Sequence, residues 1–582
     1  MCGIAGVIGR ADARERVTQM IAALAHRGPD GSGIFEFGPG SALGHARLAI
    51  LDLSPAGAQP MTSRDGRWTI VFNGEIFNYR ELRVELSEVP WRSSSDTEVL
   101  LEACASWGIE RALQHTIGMF AFALWDARDR ELTLARDRLG EKPLIYFDDG
   151  RTLAFASELK ALRDFHDGHL DRAALEVYLA LGYVPAPLAI FRNIRKLPAG
   201  HRLRWKHGHS RVERWWFPER AGPAVSRTRA ERREEARSLI ADAVRLRLRS
   251  DVPLALALSG GVDSTVIAAE AAGQGARTDA FTVIADADET DLPYARQVAQ
   301  RLGLRHEVLR ARATSAAERV LDAAAHFDEP FADSSALSSL ELARALAGRY
   351  KVILNGDGGD EAFGGYRHYT RIALKQAVKA AAAGVGLVDG SGATGVYVES
   401  KVTFREEERA SLLKEHAFNG QLTGALSGLL EQDEFLSACP GGGALKHALW
   451  TDRHLYLAND LTHKMDMALG AYGLEGRSPF LDHRILEWTQ RLPADDLVRG
   501  GKKKILLRQA YGKELPQAIA TRSKHGFGAP VGDWLAGPLQ ELVDELLPCP
   551  LLDPELQTHA RGQRLWALLT FAQWAKHWGA TC

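Results

Sequence analysis

Residues 254–264, LALALSGGVDS, decide the fold class of this chain. A short apolar run enters a turn of small residues and leaves through TVIAAE at 265–270, so the order is buried strand, tight turn, helix. That arrangement is a phosphate cradle. Gly260 and Gly261 let the backbone approach an anion closely, Ser259 and Ser264 add hydroxyl donors, and the helix start adds unpaired N–H groups and a positive dipole end. Asp263 places a carboxylate where phosphate is expected, which suits Mg2+. The competing reading is a plain strand-to-helix turn. The string lacks the Gly-Lys-Ser/Thr ending of a Walker A loop and the G-x-G-x-x-G of a dinucleotide fingerprint.

SGGVDS at 259–264 resembles the pyrophosphate loop of the ATP pyrophosphatase family, whose members split ATP into AMP and pyrophosphate. The strand and helix signals around it continue with residues 280–284, a helix over 294–302, and strands at 304–309 and 351–354. This is the rhythm of a doubly wound parallel sheet, which binds ligands at the carboxyl ends of its strands. The last strand runs into NGDGGDEAFGGY at 355–366, where glycines beside carboxylates suit a nucleotide and Mg2+. The twelve-residue spacing of a calcium-binding EF-hand is not met.

With 582 residues the chain is too long for one ordinary core, and roughly two to four units are expected. Its 46% hydrophobic and 25% charged residues are ordinary for a globular protein. A net charge of −2 gives no sign of a nucleic-acid partner. The arginine clusters at 227–237 and 245–249 read as solvated helix faces. The five cysteines, Cys2, Cys104, Cys439, Cys549 and Cys582, contain no C-x-x-C pair and fit a reducing cytoplasm. There is no signal segment, and no apolar run reaches the ~20 residues that span a bilayer.

The chain starts as a short apolar strand, MCGIAGVIG. Removal of Met1 would leave Cys2 with both a thiol and a free α-amine of pKa about 7.7–8.0, a built-in base for the thiol proton. A buried structural cysteine is the competing reading. Then come HRGPDG at 26–31, GHARLAILD at 44–52, FNGEIFNY at 72–79 and SSSDTE at 93–98. With Cys2, these strings resemble the N-terminal-nucleophile glutaminase domain of class II amidotransferases. The resemblance implies that the Asn73 amide and the Gly74 N–H serve an oxyanion, Arg47 the glutamine carboxylate and Asp96 its ammonium, with Glu75 also in the glutamine site. Singly, Arg47 or Asp96 would read as a surface ion pair, and Asn73-Gly74 as a hairpin turn. Alternating runs at 67–72, 118–125 and 131–137 suggest stacked sheets with helices outside.

Taken whole, the chain resembles the glutamine-dependent asparagine synthetases. The implied fold is α/β and α+β: an N-terminal-nucleophile αββα sandwich over 1–210, then a doubly wound parallel-sheet ATP pyrophosphatase domain with a helical C-terminal part over 211–582. Asp357 stands where the family carries Glu or Asp and the related β-lactam synthetases carry Tyr; Asn355 stands where Ser is common. Leu258, Val283 and Gly356 would line the nucleotide pocket with Asn355, and Asp263 and Asp360 would hold Mg2+. In residues 502–504, KKK, Lys504 is assigned to the phosphates or the acyl-adenylate and its two neighbours to structure. DEPFADSS at 328–335, LEGRSPFLD at 474–482 and RSKHGF at 522–527 also fit the family. Residues 384–400 and 417–445 match nothing, and the apolar spacing of 565–574 reads as a core helix.

The implied reaction converts L-aspartate, L-glutamine, ATP and water into L-asparagine, L-glutamate, AMP and pyrophosphate, with ammonia passing through an internal tunnel. A sugar acid, peptide or secondary-metabolite carboxylate as acceptor is left open, as is a homodimer. A sensor or scaffold with dead sites is disfavoured by the intact Cys2 and phosphate loop, and a β-lactam-forming cyclase by Asp357.

Overall fold

The computed structural model describes residues 1–218, 228–284, 289–310, 315–383, 397–398, 400–413, 424–432, 443–522 and 529–581. The string at 523–527, Cys439, Cys582 and most of 384–400 and 417–445 lie outside them.

The N-terminal half is two stacked antiparallel sheets. The first has the order β10 (Ile194–Lys196), β8 (Ile145–Asp148), β9 (Leu153–Ala156), β1 (Gly3–Ile8), β3 (Ser41–Arg47), β2 (Gly31–Glu36). The second runs β12 (His209–Arg214), β11 (His201–Lys206), β7 (Glu131–Arg136), β6 (Gly118–Asp126), β5 (Trp68–Ile76), β4 (Met61–Thr62). Strand alternation sorts their side chains into layers. Ile4 and Ile8 of β1, Val71 of β5 and Ala121 and Ala123 of β6 fill the space between the sheets. The alternate residues Ala5 and Val7 pack outward with the helix Ala13–Ala23, and Ile70, Phe72, Phe120 and Phe122 pack with Tyr79–Glu85 and Asp96–Trp107. This is the αββα sandwich. Residue 210 falls inside β12, whose register with β11 runs from His201 opposite Arg214 to Lys206 opposite His209.

The second half is built on five parallel strands in the order β15 (His306–Arg310), β14 (Asp279–Ile284), β13 (Leu254–Ala257), β16 (Val352–Leu354), β17 (Glu475–Arg477). The chain grows outward from β13 in both directions, so β13 and β16 flank the point where strand order reverses. Ligand sites of such sheets lie there. Both glycine-rich loops, 258–261 and 355–359, leave the carboxyl ends of these two strands.

The arginine clusters are solvated only in part: Arg233 and Arg245 are exposed, whereas others are not. The helix Arg229–Arg247 opens with a Thr228–Glu231 capping box and packs on the later chain; Arg232 and Arg247 are buried, Arg232 against Asp496 at 2.6 Å and Arg247 against Asp482 at 3.0 Å. Long-range carboxylates that the local sequence cannot display neutralise them.

The C-terminal helix Gln563–Trp578 is buried across both halves. Tyr178 donates to the Ala567 carbonyl at 2.8 Å, and the Trp574 indole donates to the Asp328 carbonyl at 2.9 Å while its ring packs on Phe191. Among the described residues no helix is long and apolar enough to cross a membrane. Trp574→Ala is expected to cost about 3–5 kcal/mol, since it leaves a cavity and an unpaired carbonyl. Urea unfolding measures it, and an unchanged midpoint would contradict the role given to this helix.

Candidate active sites

Cys2 immediately precedes β1, on the side of the strand that carries Ile4 and Ile8, and packs with Leu48, Ile50 and Val352. It is half-buried; the Leu48 N–H approaches its Sγ at 3.4 Å, and burial pushes the thiol up from its ordinary pKa. Met1 is in place, 1% exposed, its amine donating to the Leu474 carbonyl at 3.2 Å. Burial lowers that amine to about 5. A base on Cys2 itself therefore requires that Met1 be cleaved.

Val71, Asn73 and Glu75 project from β5 on one face, toward the space between the sheets. Asn73 is fully buried, and neither its Nδ2 nor its Oδ1 has a hydrogen-bond partner among the described residues. Such a buried amide costs free energy unless a ligand satisfies it. The Glu75 Oε2 accepts from Arg477 at 3.0 Å, while its Oε1 is buried and has no hydrogen-bond partner. Asp96, at the start of its helix, accepts from the Ile76 N–H at 2.8 Å; burial raises it to about 6. Arg47 donates to the Ser54 carbonyl at 3.0 Å and to that of Asp52, which fixes its fork at the rim. The structure thus gathers Cys2, Asn73, Gly74, Glu75 and Asp96 at one end of the sandwich, with Arg47 beside them on β3.

The second cluster is the phosphate loop. Gly260 has φ +67, and a Cβ there would meet the Ala295 nitrogen at 2.6 Å. The Ser259 and Ser264 hydroxyls lie 3.1 Å apart and close the turn, and the Thr265 hydroxyl donates to the Gly261 carbonyl at 2.6 Å. Gly356 lets the facing loop approach: a Cβ there would sit 2.9 Å from the Asp263 Cβ. Lys504, 5% exposed, adopts φ +53, a conformation costly for a side chain of its size, and bonds Asp263 and, at 2.5 Å, Asp360. Two carboxylates thus converge on one cation position. That donor set fits Mg2+, which is bound through one or two carboxylates together with substrate phosphates.

A cavity of about 120 Å³ opens over this loop, walled by Ser259, Gly260, Gly261, Asp263, Asp360 and Lys504. Lys503, Arg508 and Arg522 also reach it, so Lys503, assigned to structure from the sequence, joins the wall. Leu258 is tied into the sheet through the Phe281 carbonyl, and Val283 lies near the carboxyl end of β14. Asn355 accepts from the Asp357 N–H at 3.2 Å and from the Ser478 hydroxyl; its Nδ2 is buried with no hydrogen-bond partner, a donor ready for a ligand.

Several residues escaped the sequence reading. Lys464, 5% exposed, donates to Asp333 at 2.8 Å and Ser335 at 2.7 Å and feels the charge of Asp357. A cavity of about 20 Å³, room for one water-sized molecule, has Met1, Lys142 and Asp466 at one side and Asn355, Asp357 and Ser478 at the other. No local string announces either feature, because each pairs residues from distant parts of the chain.

Two family models match, a glutamine amidotransferase domain over residues 1–216 and asparagine synthase over residues 235–576. A glutamine-hydrolysing asparagine synthetase of Bacillus subtilis is 29% identical over 99% of this chain and 96% of its own length. A putative glutamine-hydrolysing asparagine synthetase of Mycobacterium tuberculosis is 32% identical over 98% and 95%. An amidase of Gibberella zeae is 27% identical over 94% and 92%. With a match on each half and relatives aligned almost end to end, the chain belongs to the glutamine-hydrolysing asparagine synthetase family and is an ATP-dependent amidotransferase.

Proposed function

We propose that the protein makes L-asparagine from L-aspartate, with residues 1–210 releasing ammonia from glutamine and residues 211–582 consuming it. The observation that carries the reading is the junction at Arg27, which donates to the Cys2 carbonyl at 3.0 Å and to Asp466 at 2.7 Å and so sets the start of β1 against the second half.

Once Met1 is removed, the Cys2 amine takes the thiol proton and Sγ attacks the glutamine amide carbon. The Asn73 Nδ2 and Gly74 N–H stabilise the oxyanion. Its collapse gives a γ-glutamyl thioester and ammonia, and water then releases glutamate. Arg47 holds the substrate carboxylate and Asp96 its ammonium.

In the second site the ATP phosphates lie on the Ser259–Gly261 turn and Ser264, near Lys504, with adenine toward Leu258, Val283, Asn355 and Gly356. Asp263 and Asp360 would hold Mg2+, which when bound would neutralise phosphate charge. An aspartate carboxylate oxygen attacks the α-phosphorus, and the bond to pyrophosphate breaks. Ammonia then attacks the acyl carbon, its surplus proton passes to Asp357, and AMP leaves with the oxygen that the carboxylate contributed.

The amidase relative supports a second reading, the same chemistry on another carboxylate. Pyrophosphate release with MgATP, glutamine and L-aspartate, then other carboxylates, tests both, with the amide identified by mass spectrometry. Asparagine formed in step with AMP is the expected result. Glutamine hydrolysis with no aspartate-dependent pyrophosphate would reject aspartate and leave the second reading.

Cys2→Ala is expected to abolish glutaminase activity while ammonia-dependent synthesis persists; surviving glutaminase activity would remove Cys2 from the mechanism. The Asp96 value yields a pH prediction. Protonation as pH falls through about 6 removes the countercharge to the glutamine ammonium, so kcat/KM for glutamine should fall on that acid limb. Asp96→Asn should lower activity at neutral pH and remove the fall near pH 6, leaving only that of the Cys2 amine at higher pH; a wild-type profile with no fall near pH 6 would contradict this.

A further inference from the structure

Arg477 is carried by β17, the edge strand of the synthetase sheet, yet its guanidinium reaches into the sandwich. It is fully buried and every contact is specific: Nε donates to Glu475 at 2.7 Å, Nη1 to the carbonyls of Arg247 at 3.1 Å and Arg249 at 2.5 Å, and Nη2 to Glu75 at 3.0 Å. The backbone carbonyl of the same residue accepts from the Asn355 N–H at 3.1 Å.

Its partner Glu75 is 2% exposed, and only Oε2 meets the guanidinium; Oε1 is buried without a hydrogen-bond partner. Glu75 lies two residues beyond Asn73 on the strand face that looks toward Cys2. Asp96 and Glu475 are close enough to act on the charges of both Cys2 and Glu75. Three carboxylates therefore share one guanidinium. Burial pushes the Glu75 carboxyl well above the ordinary carboxylate range, with Arg477 opposing, so the cluster is short of positive charge and a further cation beside it favours the ionised form. The amide substrate brings one, its α-ammonium, at the end opposite the reacting amide.

We infer that Arg477 is a positioning residue of the glutamine site, supplied by the other domain, which holds Glu75 so that Oε1 joins Asp96 in accepting the substrate ammonium. This rests on the glutaminase reading given above. The glutamine site is then complete only when the edge of the synthetase sheet is docked against it. Cys2, Asn73 and Gly74 do the chemistry; Arg477 touches no reacting atom and acts through Glu75.

The test uses the full chain and two amides, L-glutamine and glutaramate, the same molecule without its α-amine. Arg477→Gln is expected to raise KM for glutamine about tenfold or more, the size of one charge-assisted hydrogen bond, with kcat changed little. Arg477→Lys should fall between the variant and wild type. KM for glutaramate should be the same in all three proteins. A loss of equal size on both amides, or an unchanged KM for glutamine, overturns the inference. Glu75→Gln carries the same expectation and keeps the test available where an Arg477 variant does not fold. A wild-type protein that hydrolyses neither amide would instead refute the glutaminase reading, and the inference with it.

Discussion

Two fully buried guanidiniums, Arg27 and Arg477, join the halves of this protein, and the placement of both sites depends on them. Arg27 donates to Glu158 at 2.6 Å within the sandwich, to Asp466 at 2.7 Å in the synthetase half, and to the carbonyl of Cys2 at 3.0 Å. It thereby fixes the Cys2 backbone against the helix that carries Asp466 in the other half. Arg477 does the converse, reaching from the synthetase sheet to Glu75. Each pair replaces water around the charges with several aligned acceptors, the condition under which a buried ion pair is tolerated. Removing one partner strands a charge at the seam, at a cost of about 3–5 kcal/mol.

The same seam also brings the two halves together at one small cavity. The end of β1 and the end of β16 face one another across a gap of about 20 Å³. In the synthetase half, Gly356 and Gly359 replace side chains where the loop after β16 must approach Asp263, and Asp263 and Asp360 converge on Lys504. Close backbone approach on one side and salt bridges on the other leave a pocket that is polar and cationic at its rim. A triphosphate needs that balance.

Much of this was legible in the sequence because it is local. The phosphate loop is six consecutive residues between a strand and a helix. Cys2 and Asn73 sit in short strings on strands, and Asp96 in a short string that opens a helix. What the sequence did not display is long-range. Arg27 and Asp466 are separated by 439 positions, Glu75 and Arg477 by 402. Arg232 and Arg247 of the helix Arg229–Arg247 read as solvated because their partners Asp496 and Asp482 lie far along the chain. Met1 lining the gap joins a pattern only when the halves are docked, and Lys464 beside Asp333 only when residues 131 positions apart within the second half meet.

The central claim is that the two sites communicate through the seam and not through solvent. Glutamine labelled with heavy nitrogen at its amide, supplied with MgATP and the acceptor in an excess of unlabelled ammonium, tests it directly. Sealed transfer predicts an amide product enriched in heavy nitrogen well beyond the isotopic composition of the surrounding ammonium. A product whose label matches the bulk pool would show that ammonia escapes before it is used, and would contradict the account.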